Sequence, residues 1–150
     1  MIRCAIRLAG VALAGVLLAG LLPHTAAASQ AQSVVHQLRI YEIFENNKQA
    51  FHQRFRDHAM RIMAKYDFKI VAMWETRHGE RTEFVYLLEW PDQATLQDRW
   101  AKFMADQEWA AIKKRTAAEH GQLVGDIEDR VLTVTDYSPT SAFQLPARSK

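Results

Sequence analysis

Hydrophobic positions along the chain fall into two regimes. Leu8 to Leu22 is an unbroken apolar run of fifteen residues, preceded by Arg3 and Arg7 and ended by Pro23. A small-residue tract, Thr25 to Ser29, follows. A basic start, a short apolar run and the A-x-A pattern at Ala26 and Ala28 predict a signal peptide over residues 1–28, cut near Ala28. Ser29 and Ala31 offer a second cleavage site. An uncleaved anchor is the alternative, but the run is shorter than the ~20 residues that span a bilayer. The protein is therefore expected outside the cytosol, periplasmic or secreted, meeting the membrane only during export.

Beyond a polar leader at residues 29–33, the spacing becomes periodic. Val34 to Phe44 reads as a strand, with Val35, Gln37, Arg39, Tyr41 and Ile43 on one face and His36, Leu38, Ile40 and Phe44 on the other. Asn46 and Asn47 are suitable helix caps. Phe51, Phe55, Ala59, Ile62 and Tyr66 then recur every three or four residues, predicting an amphipathic helix with Arg54, Arg56, Arg61 and Lys65 away from its apolar stripe. After Asp67 the period returns to two. Phe68, Ile70, Ala72 and Trp74 predict a second strand to Thr76, Arg77 to Thr82 a polar hairpin loop with Gly79, and Glu83 to Trp90 a third strand.

Pro91 and Asp92 end that strand. Leu96, Trp100, Phe103 and Met104 form a second helical stripe, interrupted near Asp106 and Gln107 and resumed from Trp109 to about His120, with Gly121 as a stop. The last strand is expected within Val124 to Tyr137, best placed at Asp129 to Thr135. Ser138-Pro139 closes a domain of residues 34–139, and residues 140–150 read as a flexible tail. The order β-α-β-β-α-β is an α+β, ferredoxin-like arrangement with both helical segments on one face of a four-stranded sheet. The third strand is apolar on both sides, and such a strand needs both faces covered. Without residues 1–28 the 150-residue chain has no further element to cover the second face. A second copy is expected there, giving a homodimer whose two sheets face each other as a dimeric α/β barrel.

Composition sharpens this picture. With 49% hydrophobic and 24% charged residues, the chain has the make-up of a folded domain. Loss of Arg3 and Arg7 reduces the 19 basic residues to 17, matching the 17 acidic ones. That balance argues against a nucleic-acid partner. Cys4 is the only cysteine and would leave with the signal, taking disulfide and thiolate chemistry with it.

Several stretches then resemble one family in order. Gln37-Leu38-Arg39-Ile40-Tyr41 resembles the opening strand of NIPSNAP domains, and Phe51 to Ala59 their first helix. Trp74-Glu75-Thr76 with Gly79 resembles the second strand and turn, and Val85 to Trp90 the third strand. Asp106-Gln107-Glu108-Trp109 is similar to an Asp-Pro-Glu-Trp stretch, with Gln107 where Pro is usual, and Tyr137-Ser138-Pro139 matches the closing Ser-Pro. The resemblance implies a dimeric α/β barrel and carries no settled chemistry or catalytic motif. Relatives on the same fold include cofactor-independent monooxygenases and haem-handling enzymes, an analogy of fold alone.

Candidate chemistry centres on a space between helices and sheet. His58 borders the apolar stripe of the first helix, as a proton carrier, a haem ligand or a structural histidine. Arg39 and Tyr41 share a strand face, where Arg39 either anchors an anionic substrate or forms an internal ion pair with Glu89 or Glu75. Trp74, Tyr86, Trp90 and Trp100 are either an aromatic pocket or plain core. No metal site is expected, because His52 and His58 face different ways on a helix and the other histidines lie on separate elements. Lys113-Lys114-Arg115 reads as solvated surface. The expected function is binding of a small apolar or aromatic molecule, with no cofactor. The alternatives are a cofactor-independent monooxygenase or haem-dependent oxidoreductase, and a non-catalytic structural dimer.

Overall fold

The computed structural model describes residues 34–143. The expected signal peptide and leader, and residues 144–150 of the expected tail, lie outside the described residues. The elements are β1 (Val35–Ile43), α1 (Lys48–Arg54), a π-helical turn (Phe55–Ala59), α2 (Met60–Lys65), β2 (Lys69–His78), β3 (Arg81–Trp90), α3 (Gln93–Ala105), α4 (Gln107–His120) and β4 (Ile127–Leu132). α1, the π turn and α2 run on as one helix, so the β-α-β-β-α-β order holds. The four strands form one antiparallel sheet in the order β2-β3-β1-β4.

The core lies where the spacing put it. Phe51, Phe55, Ala59 and Ile62 are buried, joined by Met63, against Phe84, Tyr86, Leu88 and Trp90 from alternate positions of β3. Burial of each large side chain contributes roughly 1.5–3 kcal/mol. Leu96 and Phe103 of α3 and Trp109 and Ile112 of α4 complete it. The rings meet mainly edge to face, as Phe55 does with Phe84 at 4.7 Å and Phe68 with Trp90 at 4.7 Å.

One buried amide joins four elements. Gln37 of β1 is fully buried. Its Oε1 accepts from Trp90 Nε1 of β3 at 3.1 Å and from Trp100 Nε1 of α3 at 2.7 Å, while its Nε2 donates to Asp129 Oδ1 of β4 at 2.8 Å. A second junction is Asp106, the N-cap of α4. It accepts from Trp109 N at 2.9 Å, Lys65 Nζ at 2.9 Å and Tyr66 Oη at 2.7 Å, tying the end of α2 to the α3–α4 corner. Gln107 is thus the first residue of α4, the position where proline is well tolerated.

Four details differ from the sequence pattern. A β-bulge between Ile70 and Ala72 shifts the β2 register against β3. Trp74 therefore pairs with Val85 on the face away from the helices, while Met73 and Glu75 turn toward them. The hairpin is tighter than expected: β2 and β3 continue to His78 and Arg81, joined by Gly79 and Glu80. Gly79 at φ +61° supplies the left-handed residue of that two-residue turn. β4 pairs earlier, from Ile127, because Gly125 brings the chain onto Glu42, where a Cβ would lie 2.2 Å from Glu42 Oε2. Asn47 occupies the N-cap of α1 but turns its amide elsewhere, donating to the carbonyls of His120 and Gln122, each at 2.9 Å.

Gln37→Leu strands two indole N–H groups and is expected to cost about 2–4 kcal/mol in urea unfolding. The bonds from Lys65, Trp109 and Tyr66 hold the Asp106 carboxyl well below its ordinary range. A depressed folded pKa stabilises above the unfolded value and loses that stability as pH falls. The advantage of wild type over Asp106→Asn, measured by thermal unfolding, is therefore expected to be full at pH 6 and to shrink as pH drops below 3.8.

Candidate functional site

Polar residues on the helix-facing side of β1 form the floor of a cavity. Successive inward positions are Gln37, Arg39 and Tyr41, and above the last two a space of about 220 Å³ stays open between sheet and helices. Ile127 and Val124 border it from the sheet side. Phe51, Arg54, Phe55, Ala59 and Met63 wall it from the first helix, Trp100, Phe103 and Met104 from α3, and Trp109 and Lys113 from α4. Phe55 and Ala59 bound the π turn, a distortion that recurs at functional sites in helices. Ala59 keeps that wall low.

The floor residues are joined by hydrogen bonds, with Arg39 Nε alone left without a partner among the described residues. Arg39 donates to Asp129 Oδ2 at 2.6 Å and lies over the Trp100 ring, Cζ 4.6 Å from its centroid. The guanidinium also reaches Tyr41 Oη at 3.4 Å, and Tyr41 Oη bonds Tyr86 Oη at 2.8 Å. Burial pushes the Tyr86 phenol well above its ordinary pKa, so it stays neutral. Arg54 is half-buried, and burial pulls its pKa down. Its hydrogen bond goes to Thr116 Oγ1 at 3.3 Å.

The residues singled out in the sequence divide among five places. Arg39, Tyr41 and Trp100 line the cavity. Tyr86 lies beneath it, bonded to Tyr41. Trp90 is core, spent on Gln37. Trp74 and Glu89 are on the other face of the sheet: the bulge turns Trp74 out, half exposed, and Glu89 pairs with Lys69 there. Arg39 is bonded to Asp129 and to neither Glu89 nor Glu75, because Glu75 is held by Lys48 and His52, each at 2.9 Å. Glu89 instead accepts from the backbone N–H of Phe143, whose ring sits edge-on to buried His36 at 5.3 Å. The first residues of the expected tail are thus held against the sheet. His58 lines a separate polar cleft between the first helix and α4, with Arg54, Arg115 and His120.

Two cavity residues depart from the sequence pattern. The helical stripe points Arg54 away and the charge run around Lys113 reads as solvated surface, but both line the cavity. Their signal was present in the spacing, since Arg54 follows Phe51 by three residues and Lys113 follows Trp109 by four. Among the described residues, no three His, Cys, Asp or Glu side chains converge as a metal site, and no helix is long and apolar enough to cross a membrane.

An antiparallel sheet in this order, with its helices on one side and a cavity between, defines an α+β domain of the ferredoxin-like class. The NIPSNAP family profile matches residues 36–139, and the chain belongs to that family. An uncharacterized NIPSNAP-like domain protein from Burkholderia xenovorans superposes with a TM-score of 0.62 at 20% identity, over 74% of this chain and 93% of that one. A NIPSNAP family protein from Agrobacterium tumefaciens gives 0.60 at 24% identity, over 71% and 97%. A cofactor-independent oxygenase from Streptomyces nogalater reaches 0.46 at 15% identity, over 72% and 99%, too distant to inform the chemistry. No curated protein matches the chain in sequence.

The tyrosine pair is unequal, because Tyr86 is fully buried while Tyr41 keeps Arg39 as a second partner. Tyr41→Phe strands the Tyr86 hydroxyl and is expected to cost about 1–3 kcal/mol. Tyr86→Phe is expected to cost less, about 1 kcal/mol, in the same urea titration.

Proposed function

We propose that this NIPSNAP protein is exported, forms a homodimer, and holds a small apolar or aromatic molecule in the cavity between helices and sheet. The observation that carries the reading is the cavity itself. About 220 Å³ lies open among Phe51, Phe55, Trp100, Phe103 and Trp109. Interiors are packed to a density that leaves few voids larger than water, so a space this size calls for an occupant. It falls just under the ~300–1,000 Å³ of most ligand pockets and suits a molecule of one or two rings. No histidine lines it, so the haem alternative, which relied on His58, has no support at this place.

The second face of the sheet supports the dimer. Leu38, Ile40, Val85 and Leu87 are only half-buried there, and Trp74 and Leu132 are exposed at 50% and 39%. A contiguous apolar strip of this kind marks an interaction surface. A second copy presents the same strip and closes both. Export rests on the N-terminal pattern of Arg3, Arg7, the Leu8 to Leu22 run and Ala26-Ala27-Ala28.

Binding is checked by calorimetry with 2-naphthylmethanol, a neutral two-ring probe. Wild type is expected to bind it, and Ala59→Leu, which fills the space, to lose about tenfold in affinity with unchanged urea stability. Equal binding by both would place the probe elsewhere. Light scattering at micromolar concentration is expected to give twice the chain mass, moving toward one chain mass in Trp74→Glu. A single chain mass for wild type would overturn the dimer.

A further inference from the structure

The cavity walls are apolar, yet three cations reach it and no carboxylate lines it. Arg39 is accounted for. Asp129 neutralises it at 2.6 Å, and Trp100 and Tyr41 fix its plane. Arg54 and Lys113 are not. The half-buried Arg54 guanidinium has only the long bond to Thr116 Oγ1, and that hydroxyl donates onward to the Ile112 carbonyl at 2.9 Å. Among the described residues, neither Arg54 nor Lys113 has a carboxylate within ion-pair distance, while Glu108 at the start of α4 pairs with Arg61 and Asp106 with Lys65. Both cations flank one indole: Arg54 Cζ lies 5.8 Å and Lys113 Nζ 5.7 Å from the Trp109 ring centroid.

Two like charges beside one aromatic ring, both half-buried, repel each other and lack a counter-charge among the described residues. On the cavity floor Arg39 is matched by Asp129, and on the other face of the sheet Glu89 is matched by Lys69. The mismatch falls at the cavity and nowhere on its floor.

We infer that the cavity selects a molecule carrying a carboxylate, which Arg54 and Lys113 hold at the Trp109 end while its aromatic or apolar body lies against Phe51, Phe55 and Trp100. This rests on the ligand-binding reading of the same cavity and adds the charge of the ligand to it. The guanidinium has donors free for a planar carboxylate, and the lysine supplies a movable second charge. A neutral molecule of the same shape leaves both cations unmatched.

The test compares 2-naphthoate with 2-naphthylmethanol by calorimetry on the purified protein. The two share a ring system and differ at the headgroup. Naphthoate is expected to bind about tenfold more tightly or better, as a charge-assisted pair does. Arg54→Gln and Lys113→Gln are each expected to weaken naphthoate binding several-fold more than binding of the alcohol. The Lys113 variant keeps the test valid should Arg54→Gln fold poorly. Equal affinity for the two probes in wild type overturns the charge inference and leaves the cavity reading standing. Binding of neither probe overturns both. A preference that survives both substitutions overturns the assignment to Arg54 and Lys113.

Discussion

Gln37 is the point on which the domain turns. A primary amide fully buried among aromatic rings must have its donors and acceptor satisfied, since each unmade bond costs on the order of 1–3 kcal/mol. Gln37 meets that demand by binding Trp90, Trp100 and Asp129 together. Those three bonds set the distance from β1 to α3 and the placement of β4 beside β1. They also orient Trp100, on whose face Arg39 lies, and Asp129, whose second oxygen neutralises Arg39. The cavity floor is therefore a direct extension of the core bond, two residues further along the same strand face.

From that constraint the open space follows. A strand that presents Gln37, Arg39 and Tyr41 to its helices cannot be packed as a row of leucines would be. The polar heads must bond sideways, to Asp129 and Tyr86, and they leave room above them. The first helix adds to the room through its π turn and the small Ala59. α3 and α4 close the ends, held in place by Asp106. Cations at this wall then face an apolar space that no carboxylate lines.

Most of the scaffold was legible in the spacing of apolar residues. The stripe of Phe51, Phe55, Ala59 and Ile62 and the inward positions of β3 follow directly from the helical and strand periods. Arg39 and Tyr41 were legible for the same reason, being on the strand face that also carries Gln37. Trp74 was not. A bulge adds one residue without any local composition signal, and every side chain beyond it changes face. Glu89 failed as a partner for Arg39 because parity along β3 puts it on the other side of the sheet. His58 borders the stripe in sequence but looks toward α4, and the cleft it lines is polar. Charge alone points Arg54 and Lys113 outward, yet both line the cavity. Long cationic side chains run along apolar surface and deliver their heads elsewhere, so composition alone misplaces them.

The two faces of the sheet thus have separate work in the proposed account: one closes on a small molecule, the other on a second copy. The family match fixes the fold and leaves the ligand to the residues of this chain. Native mass spectrometry of the protein isolated from its own cells tests the central claim most directly. An occupied cavity gives protein carrying the added mass of one small organic acid per chain, released on unfolding. Protein that flies only at the bare chain mass, under conditions gentle enough to preserve non-covalent complexes, would contradict it.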